Sequence, residues 1–314
     1  MNKHVLTVTV NPAVDKTVVI NHFRPGHDHR CRDPILSAGG KGINVARVLH
    51  RLGVDTLATG FLGGEAGCVI MDLLKQEGME ADFLRIKGRT RTNLTIADSV
   101  TNKKTRILES GPKVTGGEIR RFKEIYRQRL RHSRMVVLSG RIAKGASEDL
   151  YAQLIRLAHR QGVPSVLDTS GKSLAAGLRA RPFLVKPNLK EAEEVLGRRL
   201  GSIKEIEQAV SHLHAMGIQV VIVSMDKEGA IGSNHRELWH ARAPQIRLRN
   251  DVGCGDALIG GFLNAYFEGK SFGESLRRAV AAGSANAVSL VPGAIDRRDI
   301  LKLSAGVQMK RIFI

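Results

Sequence analysis

The chain has 314 residues, of which 42% are hydrophobic, 25% charged and 4% aromatic, enough for one large α/β domain or two ordinary ones and too apolar for a disordered chain. Forty-nine Lys and Arg against 30 Asp and Glu leave a formal charge of +19, compatible with nucleic acid, an anionic membrane surface or anionic small substrates. Cys31, Cys68 and Cys254 lie too far apart for a disulfide framework or a zinc site, and no apolar run reaches the ~18 residues of a membrane span.

Residues 5–10 form a short β-rich run closed by Asn11-Pro12, with no signal-peptide core before it, so a cytoplasmic location is expected. Residues 42–52 read as a helix, with Ile43, Ala46, Leu49 and Leu52 on one face and Gly53 as its stop. A strand over 56–62 and a helix over 69–77 follow. Residues 92–100 and 104–108 read as strands around the polar turn Thr101-Asn102-Lys103. Together with residues 17–36 they form a small antiparallel sheet outside the main layer. The densest basic stretch, 120–134, also carries Phe122, Ile125, Tyr126 and Leu130 near helical spacing. It reads as a solvated helix face, and no nucleic-acid partner is expected.

Beyond it, apolar strands at 135–138, 165–167, 183–185 and 220–223 alternate with helices such as 150–160 and 203–216. That pattern predicts a largely parallel sheet covered on both faces. No linker composition divides the chain, so residues 1–314 read as a single domain with a small lid.

The richest local feature is Asn250-Asp251-Val252-Gly253-Cys254-Gly255-Asp256, followed by Leu258, Ile259, Phe262, Leu263 and Tyr266 on one helical face. Backbone amides at a glycine turn opening a helix make an anion site. Asp256 there is either a helix-start residue or a base facing a hydroxyl that must lose its proton. A Rossmann fingerprint would need Gly or Ala at Leu258, and a P-loop ending in Gly171-Lys172-Ser173 would need Gly at Val166. A second glycine segment, Ser37-Ala38-Gly39-Gly40-Lys41-Gly42-Ile43-Asn44, also enters a helix. Its Lys and Asn suit a polyhydroxyl or phosphate ligand.

The segment Ala38-Gly39-Gly40-Lys41-Gly42-Ile43-Asn44-Val45-Ala46-Arg47 and the turn Gly253-Cys254-Gly255-Asp256 resemble the two signatures of the PfkB (ribokinase-like) carbohydrate kinases. Asn11-Pro12-Ala13-Val14-Asp15, Ser139-Gly140, Asp168-Thr169-Ser170-Gly171, Lys186-Pro187-Asn188-Leu189-Lys190-Glu191 and Ser224-Met225-Asp226-Lys227-Glu228-Gly229 match further segments of that family in chain order. Gly39-Gly40-Lys41-Gly42 with Phe61-Leu62-Gly63-Gly64 is similar to its sugar-phosphate branch, the 1-phosphofructokinases and tagatose-6-phosphate kinases.

The resemblance implies a three-layer α/β/α sandwich with a mostly parallel central sheet and a small β-sheet lid from about 12–36 and 90–110. It implies an enzyme that phosphorylates a sugar phosphate with ATP and Mg2+, fructose 1-phosphate first among the acceptors, and a homodimer formed through the lid. Asp256 matches the general base, and the amides of Gly253, Cys254 and Gly255 the anion hole. Asp15, Gly39, Gly40, Lys41 and Asn44 match sugar-binding positions, although Asp15 reads equally as a turn-forming residue after Asn-Pro. Arg91 and Ser139 match positions near the substrate phosphate, Arg91 reading equally as an exposed strand residue, and Arg106 is a further phosphate candidate. Lys186, Asn188, Ser224, Asp226 and Gly229 match the ATP side, with Asn286 toward the adenine. Asn188 and Glu191 match an Asn-x-x-Glu element associated with Mg2+; beside Glu193 and Glu194, Glu191 also reads as surface charge.

Cys254 stands where the family's usual residue is Ala, and Arg141 and Lys144 add positive charge at the substrate mouth. Two rival expectations follow from the same residues. One is a nucleoside or unphosphorylated-sugar kinase. The other is a catalytically silent, sugar-responsive regulator that binds DNA.

Overall fold

The computed structural model describes residues 3–101, 103–289 and 291–312; Asn102, in the expected polar turn, lies outside them. The first half of the chain runs β1 (His4–Thr9), β2 (Ala13–Ile20), β3 (Ile35–Gly39), α1 (Lys41–Arg51), β4 (Thr56–Leu62), α2 (Gly64–Gln76), β5 (Leu84–Arg85), β6 (Arg91–Asp98), β7 (Lys104–Ile107), α3 (Gly116–Leu130) and β8 (Ser133–Ser139). The second half runs α4 (Leu150–Arg160), β9 (Ser165–Asp168), α5 (Gly171–Leu178), β10 (Leu184–Val185), α6 (Leu189–Leu196), α7 (Ile203–Ala215) and β11 (Val220–Ser224). It closes with β12 (Ala230–Ser233), β13 (Leu238–Arg242), α8 (Cys254–Phe267), α9 (Phe272–Val288), α10 (Arg297–Ser304) and β14 (Gln308–Ile312).

Ten strands form one sheet in the order β14-β13-β12-β11-β10-β9-β8-β1-β4-β5. From β11 to β5 every pairing is parallel, and from β11 to β14 every pairing is antiparallel. Because side chains alternate across a strand, Leu6, Val136, Leu167, Val185 and Val221 face one layer, with α3, α4, α5 and α7 packed on it. Their neighbours Val5, Val137, Val166, Leu184 and Ile222 face the other, covered by α1, α8, α9 and α10. Burial on both faces is why these strands read as continuous apolar runs. The result is the three-layer α/β/α sandwich expected from the sequence. Among the described residues no helix is long and apolar enough to cross a membrane.

The basic stretch near 120 behaves as its spacing predicts. Phe122, Tyr126 and Leu130 are buried on α3, while Arg120, Arg121 and Arg127 are exposed. Helix α2 begins at Gly64, ahead of the expected 69. Gly63 caps it without a side-chain bond and Gly64 takes φ 65°, so no Ser, Thr or Asp marks the start.

A separate four-stranded sheet has the order β3-β2-β6-β7. Its outer pairs β2/β3 and β6/β7 are antiparallel, as expected, but the central pair β2/β6 is parallel. The chain passes through α1, β4 and α2 between those two strands, and this crossover permits a parallel join that no hairpin could make.

Candidate active site

The parallel strands deliver functional side chains along their carboxyl ends, where α/β sheets bind ligands. Ser139 closes β8, Asp168 closes β9, Lys186 follows β10 and Ser224 closes β11. Register places Ser139 beside Asp168, and an isolated bridge joins Asn188 to Ser224.

Asp168 is fully buried. Lys41 Nζ donates to both of its oxygens at 3.2 Å, Lys186 Nζ lies 3.4 Å from Oδ1, and Ser139 Oγ donates to Oδ2 at 3.3 Å. Burial alone would raise this carboxyl, but Lys186 and Lys41 outweigh it and hold it below the usual Asp range. Burial pulls the Lys41 ammonium down, yet Asp168 and Asp256 more than compensate and it stays charged. A residue meant for the sugar thus reaches, through one carboxylate, the lysine meant for the nucleotide.

Asp256 lies in the first turn of α8, whose cap Gly253 takes φ 83°. A Cβ on Gly253 would come within 2.9 Å of Pro292 Cβ, so both the backbone angle and the space favour glycine. The amides of Cys254, Gly255 and Asp256 have no acceptor within the helix and point out of its start. Asn44 Nδ2 donates to Asp256 Oδ2 at 2.8 Å. Burial pushes the Asp256 carboxyl up to about 6, with Lys41 opposing and Asp168 adding to the rise. The site holds a buried carboxyl poised near neutrality beside an array of positive groups.

On the other side, Asp15 of β2 accepts from Asn93 Nδ2 at 2.8 Å across the parallel pair, and burial raises its carboxyl. Gly39 packs directly against it. Gly40, at φ 129°, passes close over Thr9 to start α1. This gathers Asp15, Gly39, Gly40, Lys41, Asn44, Ser139, Lys186 and Gly253–Asp256 at one end of the main sheet.

A family model described as pfkB family carbohydrate kinase matches residues 8–294, spanning both glycine segments. The chain belongs to the pfkB family of carbohydrate kinases. It is therefore a kinase, a transferase drawing its phosphoryl group from ATP. Tagatose-6-phosphate kinase of Staphylococcus epidermidis is 34% identical over 295 residues, covering 93% of this chain and 94% of that one. The crystal structure of Escherichia coli phosphofructokinase-2 with potassium is 28% identical, with TM-score 0.91 over 96% of this chain and 98% of that one. A possible 1-phosphofructokinase of Thermotoga maritima is 29% identical, with TM-score 0.91 over 99% of this chain and 100% of the other.

Several residues of this pfkB kinase that the sequence assigned to ligands are engaged with the protein itself. Arg91 donates to the carbonyls of Asn11 and Glu109 at 2.9 Å each and of Pro12 at 3.4 Å, tying β6 to the loop after β1. Arg106 pairs with Asp251 through its two terminal nitrogens, NH1 and NH2, and Lys104 donates to Arg249 O at 2.7 Å. The small sheet thereby touches the segment leading into the glycine turn. Asn286 is completely buried; it donates to Val252 O at 2.7 Å and accepts from Gly293 N at 2.7 Å. Its amide braces the turn. Cys254 Sγ lies 3.6 Å from Asn250 O and accepts from Asn286 at 3.4 Å, with burial raising the thiol.

Asn188 and Glu191 form a reciprocal capping box at the start of α6: Asn188 Oδ1 accepts from Glu191 N at 2.8 Å, and Glu191 Oε2 from Asn188 N at 2.9 Å. Burial raises the Glu191 carboxyl. Among the described residues no group of three or more His, Cys, Asp or Glu could hold a metal ion. Such a donor set fits Mg2+ carried mainly by phosphates and water, and not an all-protein cage. Gly229, at φ 85°, and Asp226, at φ 48°, shape the turn after β11, and a Cβ on Gly229 would meet Ala241 O at 2.0 Å.

Asp168 is a functional side chain that the motif Asp168-Thr169-Ser170-Gly171 does not by itself single out. A carboxylate closing an otherwise apolar buried strand was the available signal.

Proposed function

We propose that this kinase transfers the γ-phosphoryl group of ATP to a free hydroxyl of a ketohexose phosphate, with fructose 1-phosphate as the acceptor and fructose 1,6-bisphosphate as the product. The observation that carries the reading is Asp256: a buried carboxyl, raised to about 6, fixed by Asn44 and set at the amide-rich start of α8. A base poised near the working pH suits proton removal from an alcohol. Asp256 takes the hydroxyl proton as the alcohol oxygen attacks the γ-phosphorus, and the bond to the bridging oxygen breaks to release ADP. The amides of Gly253, Cys254 and Gly255, with Lys41 and Lys186, stabilise charge on the transferring group. Asn188 and Glu191 would hold Mg2+, which neutralises phosphate charge when bound. Ser224, Asp226 and Gly229 border the nucleotide side.

Asp15 and Asn93 orient the acceptor's hydroxyls. The charge of Arg91 is felt at Asp15, and that of Arg141 at Arg91; this positive rim suits a substrate that carries its own phosphate. A second reading, tagatose 6-phosphate as acceptor, is favoured by the 34% identical relative bearing that activity's name. The small sheet acts as the lid that excludes water. Leu36 and Ile107 on its outer face are 41% and 56% exposed and share one cross-strand row with Lys16 and Leu94; that row is where two copies would pair.

The test is ADP release with fructose 1-phosphate, tagatose 6-phosphate and fructose 6-phosphate, using ribose and adenosine as controls. Turnover of a phosphorylated ketohexose alone is expected; preference for ribose or adenosine would overturn the reading. Asp256→Asn is expected to lose roughly 10²–10⁴-fold in kcat while still binding ATP.

A further inference from the structure

Arg47 lies one turn beyond Asn44 on α1 and is 2% exposed. Every direction of its guanidinium is used. Nε and NH2 pair with Glu77, NH2–Oε1 at 2.9 Å. NH2 also donates to Ala38 O at 2.8 Å, and NH1 to Asn44 Oδ1 at 3.1 Å and Pro292 O at 3.2 Å. An arginine so deeply buried and so fully bonded costs much to install unless its geometry matters.

The contact with Asn44 has a chemical consequence. A side-chain amide offers an acceptor end and a donor end, and it can exchange them by rotation. An ionised Asp256 would by itself draw the donor end toward it. Once Asp256 has taken a proton, however, a rotated Asn44 could accept that proton's hydrogen bond through Oδ1. Arg47 occupies Oδ1 and closes that option. Asn44 then remains a donor to Asp256 Oδ2 in both protonation states, leaving Oδ1 of Asp256 as the oxygen free to receive a proton.

We propose that Arg47 is a positioning residue that locks the Asn44 amide and so directs the acceptor's proton to Oδ1 of Asp256, while fastening the two glycine segments to one guanidinium. The second part rests on the two carbonyls. Ala38 leads into Gly39-Gly40. Pro292 precedes Gly293, whose N–H is held by Asn286, and Asn286 in turn holds Val252 beside Gly253. One side chain thus sets the sugar-side loop, the base and the phosphate-side turn relative to one another. The inference rests on the reading of Asp256 as the base.

The experiment is a double-mutant cycle between Arg47→Lys and Asn44→Ala, read in kcat, KM and pH profile, with thermal unfolding of each variant. Lysine keeps a charge for Glu77 but cannot reach Asn44 and both carbonyls at once. Arg47→Lys alone is expected to lower kcat about 10- to 100-fold with the KM for ATP within about threefold. In the Asn44→Ala background its further effect on kcat should be clearly smaller than its effect alone, because the part carried through Asn44 is already gone and only the two carbonyl contacts remain to be lost. The charged groups facing Asp256 are Lys41 from α1, Asp168 from β9 and Lys186 beyond β10. With these unchanged, the acidic limb of kcat/KM should move upward in Arg47→Lys. Full multiplicative losses in the double variant, or an unmoved limb, would overturn the proposal while an inactive Asp256→Asn left the base in place. An Asp256→Asn enzyme with normal turnover would instead remove the base reading and this one with it.

Discussion

Gly39 packs so closely on Asp15 that a β-carbon there would stand 2.0 Å from Asp15 Oδ2. Glycine is required at 39 by the neighbouring carboxylate, because the residue takes no positive φ. Gly39→Ala must push Asp15 off Asn93. The expected outcome is a KM for the sugar phosphate raised about 10-fold or more with the KM for ATP little changed. Steady-state kinetics with each substrate varied in turn will show it, and equal effects on both would place Asp15 away from the acceptor.

Asp256 carries a stability cost with a defined sign. Its folded pKa of about 6 lies above the ~3.9 of an unfolded Asp, so ionising it costs more in the folded chain. The cost appears as pH rises through roughly 4 to 6 and is complete above that window. Asp256→Asn removes it and is expected to be more stable than the parent by roughly 2–3 kcal/mol at pH 7.5, with no difference near pH 4. Urea unfolding at the two pH values is the measurement.

Asp168 behaves oppositely. Its folded pKa is depressed, so its contribution is present above the unfolded value and lost as pH falls below it. Asp168→Asn leaves Lys41 and Lys186 without their shared anion and is expected to cost about 3–5 kcal/mol at neutral pH. Adding Lys41→Met should recover part of the loss, again read by urea unfolding.

The Arg106–Asp251 pair joins the small sheet to the segment before the glycine turn while remaining partly exposed. An exposed pair contributes only about 0.2–1 kcal/mol to stability, so its effect should appear in catalysis. Asp251→Arg is expected to lower kcat/KM about 3- to 10-fold, and the exchanged pair Arg106→Asp with Asp251→Arg to recover most of it. Failure of the exchange to rescue would mean that the two residues act separately.

The fold was legible because its strands are buried on both faces, so 135–138, 165–167 and 220–223 announce themselves by composition alone. The antiparallel edge was not. The turn joining β12 to β13 is built on Asn234, whose side chain accepts from the amides of Arg236 and Glu237, and on His235 at φ 70°. No glycine marks it as a hairpin. The β2/β6 join was hidden for a different reason, since pairing across α1, β4 and α2 leaves no local trace.

The site divides in the same way. Asp256, Asn44 and the glycines were visible as motifs whose chemistry depends on residue type and spacing. What Asn286, Arg91 and Asp168 do depends on which distant groups they meet. Asp168 meets lysines on two different elements, and Asn286 closes on a turn that lies outside its own helix. Such roles follow from packing, and a linear pattern carries no measure of it.

The two ends of the large sheet have a consequence for how the molecule coexists with copies of itself. At one end β5 is two residues long, and at the other β14 carries Lys310 and Arg311. A short rim and a charged rim both discourage strand-by-strand addition of another chain. Growth into filaments through the large sheet is thereby blocked, and an encounter between copies is directed to surfaces where it can close on itself.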